Sequence, residues 1–296
     1  MYENLIGVEL KKLRLEKGIT QAQLCEGICH QSMLSKIEKG ETYPSAPILY
    51  KLSQKLHVDM EYFFVHAHME NYEYVKETFN TIRQAVQKKD YLTVKELVLL
   101  EEKNPTFNRF DELKQFLLWH KGIALYYVDN DPSAAIEILN LALKLNNSLP
   151  ENINLYSERE FEIVNTLAVI YSEINKHETA FNYFNEAKKI LTSKQLKDER
   201  ILIRVNYNMT KVLTRLCRHE ESIELCNDGI NECIQMNSMY LYGELTYQLG
   251  YNYELMNHKE IAVDFYKKSL EIFSIKANHR FNEYIQKRIS NLTIVN

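Results

Sequence analysis

The feature of this 296-residue sequence that most constrains its fold is a pattern of small and large residues that recurs from about residue 70 onward. The two clearest copies share one internal spacing of aliphatic, small and aromatic positions. They are Leu249, Gly250, Tyr253, Ala262, Tyr266 and Ser269, and Leu167, Ala168, Tyr171, Ala180, Phe184 and Ala187. Weaker copies lie around Ile82 and Val94, in residues 119–142 and in residues 209–229. A fixed period of this kind predicts stacked copies of one helical unit.

One residue in the second helix of each copy marks the period. The markers are Val94, Ala135, Ala180, Ser222 and Ala262, and the steps between them are 41, 45, 42 and 40 residues. The pattern resembles the tetratricopeptide repeat, in which small residues let the two helices of a hairpin approach closely. The usual tetratricopeptide period is about 34 residues, so we expect extended helices or loops. Five helical hairpins and a capping helix within 280–292 are predicted to form a right-handed superhelix.

A second pattern, in the first sixty residues, predicts a small helical bundle. Apolar residues recur at helical spacing, and glycines mark the ends of the predicted helices. The apolar positions are Ile6, Leu10, Leu13, Leu34, Ile37, Ile48, Leu49, Leu52 and Leu56, and the glycines are Gly18, Gly27 and Gly40. Thr20 and Gln23 have the spacing of a capping box, which starts a short second helix. A third helix over about 31–39 completes a pattern that resembles the helix-turn-helix of the Xre/Cro class.

In a helix-turn-helix, the second helix of the motif lies in the major groove of DNA, and flanking groups bind phosphates. The polar side chains predicted on that helix are Gln31, Ser32, Ser35, Lys36 and Lys39. Thr20 and Gln21 are predicted phosphate contacts, because free N–H groups point outward at a helix N-terminus. The alternative is that these residues are solvated polar positions on a small bundle.

Composition and charge fit this organisation. Only 8 Gly and 5 Pro occur in the chain, so most positions favour helix. We predict an all-α protein with a helix-turn-helix DNA-binding bundle at 1–60, a helical connector at 61–75 and a tetratricopeptide-like domain at 76–296. Residues 1–65 carry eight basic and eight acidic side chains, against 28 and 32 in the remainder. DNA contact must therefore come from placed residues rather than from a basic tail.

The first helices of a tetratricopeptide superhelix line a concave groove that can bind an extended peptide. The position three residues before the small residue of a first helix faces inward, which selects Asn165, Tyr207 and Tyr247. Nearby candidates are Asn208, Lys211, Glu244, Gln248 and Tyr251. An amide side chain offers a donor and an acceptor, so it can pair with a peptide group. The alternative is that these are ordinary surface or packing residues.

Short stretches along essentially the full chain carry a resemblance to a known family. They are ICHQS and LSKIE in the predicted recognition helix, YNMTK and RHEES in the fourth repeat, and NSM and YQLG in the fifth. With its helix-turn-helix, five repeats and cap, the chain resembles the RRNPP group of peptide-responsive quorum-sensing regulators of Gram-positive bacteria. The resemblance implies a cytoplasmic transcription regulator, more specifically an activator, whose concave face binds a short signalling peptide that is secreted, processed and re-imported.

The same resemblance implies roles for individual residues. Asn165 and Asn208 fall where the family clamps the peptide backbone, and Lys89 and Phe281 are further pocket-lining positions. A homodimer formed through the helical array is expected to bring two DNA-binding domains to a palindromic double-stranded DNA. Glu244 stands where the resemblance leads us to expect Gln. Backbone clamping is therefore expected to be kept while side-chain specificity differs.

Two other functions remain open at this point. A dimeric Xre-type repressor whose repeat domain binds a protein partner, or serves only for dimerisation, would have the same two domains. A scaffold of the Rap type would have lost DNA binding, which the intact recognition helix disfavours. A partner protein recovered in stoichiometric amount, with no small peptide retained, would favour the repressor.

Motifs for catalysis, metals and membranes are absent from the sequence. His177-Glu178 and His219-Glu220 lack the second His that a zinc site of the HExxH kind needs, and no phosphate-binding or nucleophile-elbow motif occurs. We expect no enzyme activity, no cofactor and no metal. No leader pattern and no run of 18 apolar residues occurs, so we expect neither secretion nor a membrane span. Five cysteines at scattered spacings indicate reduced thiols of a cytoplasmic protein.

Overall fold

A computed structural model gives the fold and describes residues 5–60, 62–63, 71–145, 156–193, 196–275 and 281–293. The elements in these ranges are helices, with no strand among them, so the predicted all-α class is confirmed. The helix-turn-helix region contains α1 Leu5–Glu16, α2 Gln21–Cys25, α3 Gln31–Glu38 and α4 Ala46–Lys55.

Local signals begin and end these helices where the sequence predicts. Gly18, Gly27 and Gly40 have φ values of 68°, 73° and 76°, a region in which glycine has no steric penalty. Thr20 accepts the N–H of Gln23 through its hydroxyl at 3.2 Å, and the Gln23 side-chain oxygen accepts the N–H of Thr20 at 2.8 Å. The predicted capping box is therefore confirmed and sets the first residue of α2.

Helices α1 and α3 touch at a point where only glycine fits. A Cβ atom added to Gly7 would lie 1.8 Å from the carbonyl oxygen of Ile37, so a larger residue would force the two helices apart. Leu10, Leu34 and Leu52 are fully buried beside this contact in one core. The core thereby fixes the position of α3 relative to the rest of the bundle.

The remaining helices begin at Tyr72. They are α5 Tyr72–Lys88, α6 Tyr91–Glu101, α7 Pro105–Arg109, α8 Asp111–Tyr127, α9 Pro132–Leu145, α10 Glu158–Glu173, α11 His177–Leu191, α12 Arg200–Arg215, α13 His219–Gln235, α14 Tyr242–Leu255, α15 Lys259–Ile275 and α16 Asn282–Thr293. Helix α16 is the predicted capping helix, and residue 280, where it was expected to begin, lies outside the described residues.

Four helical hairpins pack side by side in this region. Helix α8 pairs with α9, α10 with α11, α12 with α13 and α14 with α15, and α16 packs on α15. The first helices α8, α10, α12 and α14 are also neighbours in that order. With α5 and α6 as the first pair along the chain, the helices follow one another in the order of the predicted five repeats and cap, and the predicted helical-repeat fold is confirmed. The surface formed by α8, α10, α12 and α14 is called the inner face below.

The small residues lie where the helices of a hairpin approach closely, as the repeat pattern predicts. The marker residues Ala135, Ala180, Ser222 and Ala262 are fully buried. A Cβ atom on Gly250 would lie 2.8 Å from the ring of Tyr266, and one on Gly122 would lie 2.6 Å from Leu139. Close helix contact inside each hairpin therefore depends on these positions.

Each turn inside a helix pair contains one residue in the left-handed backbone region. These residues are Lys89, Asn130, Asn175, Cys217 and Asn257, with φ between 54° and 64°. Each stands five residues before the marker of the second helix, so the turn has the same period as the repeat. Asn tolerates this conformation better than other residues that carry a Cβ. Three turns have that residue, whereas the first and fourth do not.

Replacing Cys217 by Asn is expected to stabilise the repeat region by about 0.5 kcal/mol, because Asn relieves part of the left-handed strain. Cys217 is exposed, so the change removes little packing. Chemical denaturation followed by the fluorescence of Trp119, the one tryptophan of the chain, measures the difference. Cys217→Ser is the matched control, and an equal gain from Ser would contradict the conformational explanation.

The fourth hairpin contains a buried amide paired with a carboxyl group. Asn206 is fully buried, and its Nδ2 donates to both carboxyl oxygens of Glu232, at 3.1 and 3.0 Å. Its Oδ1 has no hydrogen-bond donor among the described residues. Burial raises the pKa of Glu232, against the opposing effect of the Asn206 hydrogen bonds. A neutral group at position 232 could donate to the Asn206 oxygen, which a carboxylate cannot do.

Glu232→Gln is therefore expected to raise the free energy of unfolding at pH 7 by about 1 kcal/mol, since Glu232 is half-buried and partly screened by solvent. A carboxyl group whose folded pKa is raised stabilises the fold at low pH, and that contribution is lost as the pH rises through the folded value. The gain from Gln should accordingly shrink toward pH 4. Urea unfolding from pH 4 to pH 7 tests this, with exposed Glu224→Gln as control. A gain independent of pH would refute the argument.

The chain divides into two compact units. One comprises residues 1–93 with 104–106, and the other comprises 94–103 with 107–296. Helix α5 begins at Tyr72, inside the connector predicted at 61–75, and residues 61 and 64–70 lie outside the described residues. The predicted limits of the domains therefore remain a prediction.

Candidate functional site

Helix α3 is the recognition helix predicted from the sequence, and its outer side is polar. The exposed predicted DNA contacts on it are Gln31, Ser32, Lys36 and Lys39. Ser35 is half-buried, while Leu34 and Ile37 on the opposite side are fully buried. The exposed side of α3 therefore includes its first turn. In a recognition helix, the first turn contacts the base edges.

A buried ion pair anchors α3 to α1. Arg14 donates to Glu38 through Nε at 2.6 Å and through Nη2 at 2.9 Å, and its Nη1 donates to the carbonyl of Ile19 at 2.9 Å. The two side chains are only 9% and 2% exposed. Burial alone would raise the pKa of Glu38, but the hydrogen bonds from Arg14 and Gln21 outweigh it and hold that pKa below its usual value.

Gln21 and Thr20, the predicted phosphate contacts, lie beside this ion pair. Gln21 is half-buried, and its Nε2 donates to Glu38 at 2.8 Å. Thr20 is exposed, and its hydroxyl caps α2. Both side chains thus have a structural contact, and the backbone N–H groups at the start of α2 remain a predicted phosphate contact. Their part in DNA binding remains a prediction.

Hydrogen bonds between polar side chains connect neighbouring first helices along the inner face. Trp119 on α8 donates through Nε1 to the hydroxyl of Thr166 on α10 at 2.9 Å. Glu162 on α10 accepts from the guanidinium of Arg204 on α12, whose Nε also donates to the Tyr240 hydroxyl at 2.7 Å. The inner face is therefore a polar surface held together across the repeats.

Asn165 and Asn208, the two predicted backbone clamps, lie next to each other on this surface. The Nδ2 of Asn208 donates to the Oδ1 of Asn165 at 2.9 Å, although the residues are 43 positions apart. Asn165 is 8% exposed and Asn208 is half-buried. This bond leaves the Asn165 amide N–H groups and the Asn208 oxygen, which form one donor and one acceptor side by side. Such a pair matches the C=O and N–H of an extended peptide.

Tyr207, Lys211 and Glu244 form a second group of predicted contacts. The ammonium of Lys211 lies 5.5 Å from the centre of the Tyr207 ring. Burial, followed by the negative charge of Glu244, raises the pKa of Tyr207. The phenol is therefore neutral at physiological pH, with opposite charges on its two neighbours.

Gln248 is located deeper than its neighbours. It is 5% exposed, and its Nε2 donates to the hydroxyl of Thr214 at 2.7 Å. Thr214 in turn donates to Asn252 at 2.9 Å, and Asn252 donates to Ser222 at 2.9 Å. Gln248 thus belongs to a buried network that joins α12, α13 and α14, and direct contact with a peptide remains a prediction.

Tyr247 and Tyr251 are brought together with the capping helix. Their rings stack at 6.4 Å, and Tyr284 of α16 lies 6.2 Å from Tyr247. The guanidinium of Arg288 lies 4.7 Å from the centre of the Tyr251 ring and forms an ion pair with Glu254 at 2.9 Å. These three tyrosines are called the tyrosine wall below. Helix α16 therefore contributes to the inner face as well as covering the last hairpin.

Two further predicted residues lie apart from these groups. Phe281 is 38% exposed, with its ring 5.6 Å from that of Phe273. Lys89 ends α5 in the left-handed conformation. The role of both residues in peptide binding remains a prediction.

The sequence analysis missed several of these residues. Arg14 and Glu38 stand four residues after core positions Leu10 and Leu34, which is a signal that periodicity offers. The pairing of Glu162 with Arg204 has no comparable signal, because it depends on how two repeats stack.

No group of three His, Cys, Asp or Glu side chains within the described ranges has the arrangement of a metal site. None of the described helices has the length and apolar character that a membrane crossing requires.

Comparison with solved structures gives relatives over the full chain. A crystal structure of Bacillus thuringiensis PlcR in complex with the peptide PapR7 and DNA is 30% identical, with a TM-score of 0.85 over 96% of this chain and 99% of PlcR. The apo form of the same protein is 29% identical, with a TM-score of 0.67 over 96% and 98%. The Streptococcus dysgalactiae SHP pheromone receptor Rgg2 shares the fold at 15% identity, with a TM-score of 0.62 over 97% and 99%. No curated protein matches the sequence.

Two family descriptions match the chain in the order in which its domains are predicted. A helix-turn-helix description matches residues 10–63. The RNPP family C-terminal domain matches residues 79–292, which include α6 to α15 and almost all of α16. The chain therefore belongs to the RNPP family, the group of regulators that its sequence resembles.

Proposed function

We propose that this protein is a DNA-binding transcription regulator of quorum sensing, controlled by a short signalling peptide bound on the inner face of its repeats. The observation that carries the proposal is the full-length similarity, at 30% identity, to PlcR in complex with a peptide and DNA. Both sites needed for that function have candidates here, in the polar side of α3 and in the Asn165–Asn208 pair. A repressor with a protein partner has no comparable support.

The proposal extends to finer points. The protein acts in the cytoplasm, where DNA and a re-imported peptide are both accessible. It binds a palindromic double-stranded DNA as a homodimer and activates transcription. Coupling requires that the peptide bind two arrangements of the dimer with different affinity, because equal affinity for both would shift nothing.

Calorimetry of the full chain tests the proposal directly. The titrants are synthetic short peptides encoded immediately downstream of the gene, with and without a candidate palindromic DNA. We expect saturable binding of one peptide at about micromolar affinity or tighter, and stronger DNA binding in its presence. DNA binding that is indifferent to every such peptide would instead favour a repressor with a protein partner.

The DNA half of the proposal is tested at the first turn of α3. Gln31→Ala should weaken binding to the palindromic site about tenfold, the effect of losing one specific base contact of 1–3 kcal/mol. Affinity for non-specific DNA should stay unchanged, because Gln31 carries no charge. Gln54→Ala, an exposed Gln on α4, is the matched control. An equal loss of affinity for specific and non-specific DNA would show that Gln31 does not recognise a base.

A further inference from the structure

Two ion pairs join neighbouring helices along the inner face. Glu162 pairs with Arg204 across α10 and α12, and Glu254 pairs with Arg288 at 2.9 Å across α14 and α16. In both pairs the side chains are 28% exposed or less. A charged ligand group would have to displace a partner from a largely buried pair, which leaves the displaced charge uncompensated.

Two tyrosines of the same face are each flanked by charges of both signs. Lys211 and Glu244 lie beside Tyr207. Glu173 and Arg215 lie beside Tyr126, where burial and then Glu173 raise the pKa of the phenol to about 12. Each of these tyrosines thus has one cationic and one anionic neighbour, so the charges beside it sum to about zero and attract a charged peptide only weakly.

The groups that remain available on this face are amides and aromatic rings. Asn165 and Asn208 together offer one donor and one acceptor to a peptide backbone. Tyr284 of the tyrosine wall is 52% exposed, so an aromatic surface is accessible beside Tyr247. Burial raises the pKa of Tyr247, which keeps its phenol neutral. Stacked tyrosines favour contact with aromatic or large aliphatic side chains.

We infer that the ligand of the inner face is a short peptide without net charge, which places an aromatic or large aliphatic side chain against the tyrosine wall. The inference rests on the proposed function and adds the chemical class of the peptide. Its backbone is bound by the asparagine pair, and its side chains are selected by shape and apolar contact. Affinity therefore depends little on ionic strength, unlike that of a ligand bound through charge.

Four pools of free-ended heptapeptides test the inference, since the two terminal charges of such peptides cancel. Each pool has an Ala/Ser background with Phe, Leu, Lys or Glu placed at each position in turn. Binding is measured by calorimetry and by the fluorescence of Trp119, which is bonded to Thr166 next to Asn165. The Phe and Leu pools should bind about tenfold tighter than the Lys and Glu pools. Their Kd should change less than about twofold between 50 and 500 mM NaCl.

A variant that uncovers one charge gives the second test. Glu162→Gln leaves the Arg204 cation without its carboxylate, so affinity for the Glu pool should rise about fivefold while the Phe pool stays within twofold. Glu224→Gln, an exposed change on the second helix of the fourth hairpin, should leave all four pools unchanged. Tyr284→Ser should weaken the Phe pool, whereas Tyr50→Ser, an exposed tyrosine of α4, should not.

The outcomes separate the inference from the function on which it rests. Tighter binding of the Lys or Glu pool, or a loss of affinity above tenfold in high salt, would overturn the inference and leave peptide control intact. Failure of all four pools and of every peptide encoded downstream of the gene would overturn both.

Discussion

Replacing Asn165 or Asn208 by Ala is expected to weaken binding of the signalling peptide by about tenfold to a hundredfold, or roughly 1.5–3 kcal/mol. Each amide orients the other through the 2.9 Å bond between them, so the loss of either one disturbs both. The double variant should therefore bind no more than about twofold more weakly than the weaker single variant, whereas independent effects would multiply to a further loss of at least about tenfold. Strong non-additivity of this kind marks residues that act as a unit.

Calorimetry with the peptide identified for this protein measures the effect, together with a thermal melt of each variant. The melting temperature should change by only a few degrees, because each variant loses one hydrogen bond between neutral amides and leaves no buried charge without a partner. Asn140→Ala is the matched control, since within the described residues the Asn140 amide bonds only to the Ile136 carbonyl of its own helix. If Asn165→Ala binds the peptide with wild-type affinity, the asparagine pair is not part of the binding site.

Arg14→Met is expected to destabilise the helix-turn-helix region by about 3–5 kcal/mol, because it leaves the Glu38 carboxylate buried without its cation. The Arg14 and Glu38 side chains are 9% and 2% exposed, so water cannot replace the lost partner. Specific DNA binding should fall with the stability of α3. Adding Glu38→Leu should recover more than half of the loss, since an apolar pair needs no compensating charge.

Hydrogen–deuterium exchange measures this change where it occurs. Amides of α3 should exchange about 10² to 5 × 10³ times faster in Arg14→Met, while those of α12 to α14 stay protected. Lys12→Met is the matched control, because Lys12 is 57% exposed and its contact with Glu9 lies at the surface. The depressed pKa of Glu38 adds a pH test. Stability from the pair is present above the ordinary pKa of the carboxyl and is lost as the pH falls through the lower folded value. Unchanged α3 exchange would show that the pair contributes no stability.

In the helix-turn-helix, the sequence predicts the helix ends but not the contacts between residues far apart in the chain. Gly18, Gly40 and the Thr20–Gln23 capping box act within a few residues of the chain. The sequence therefore predicts the helix ends that they mark, and the structure has those ends. The Arg14–Glu38 contact spans 24 residues and was missed. A charged residue at a core-facing position is recognisable from periodicity, but its partner depends on how two helices cross.

In the repeats, too, the sequence predicts helix faces but not which side chains of neighbouring repeats meet. Periodicity places Asn165, Tyr207 and Tyr247 on first helices and predicts the hairpins, because helix faces follow from spacing alone. Two further facts were decided only in three dimensions: that Asn208 bonds to Asn165, and that Gln248 turns inward to Thr214. The sequence by itself determined which residues share a helix face. The stacking of one repeat on the next determined which side chains meet, since a side chain 43 positions away becomes a neighbour only through packing.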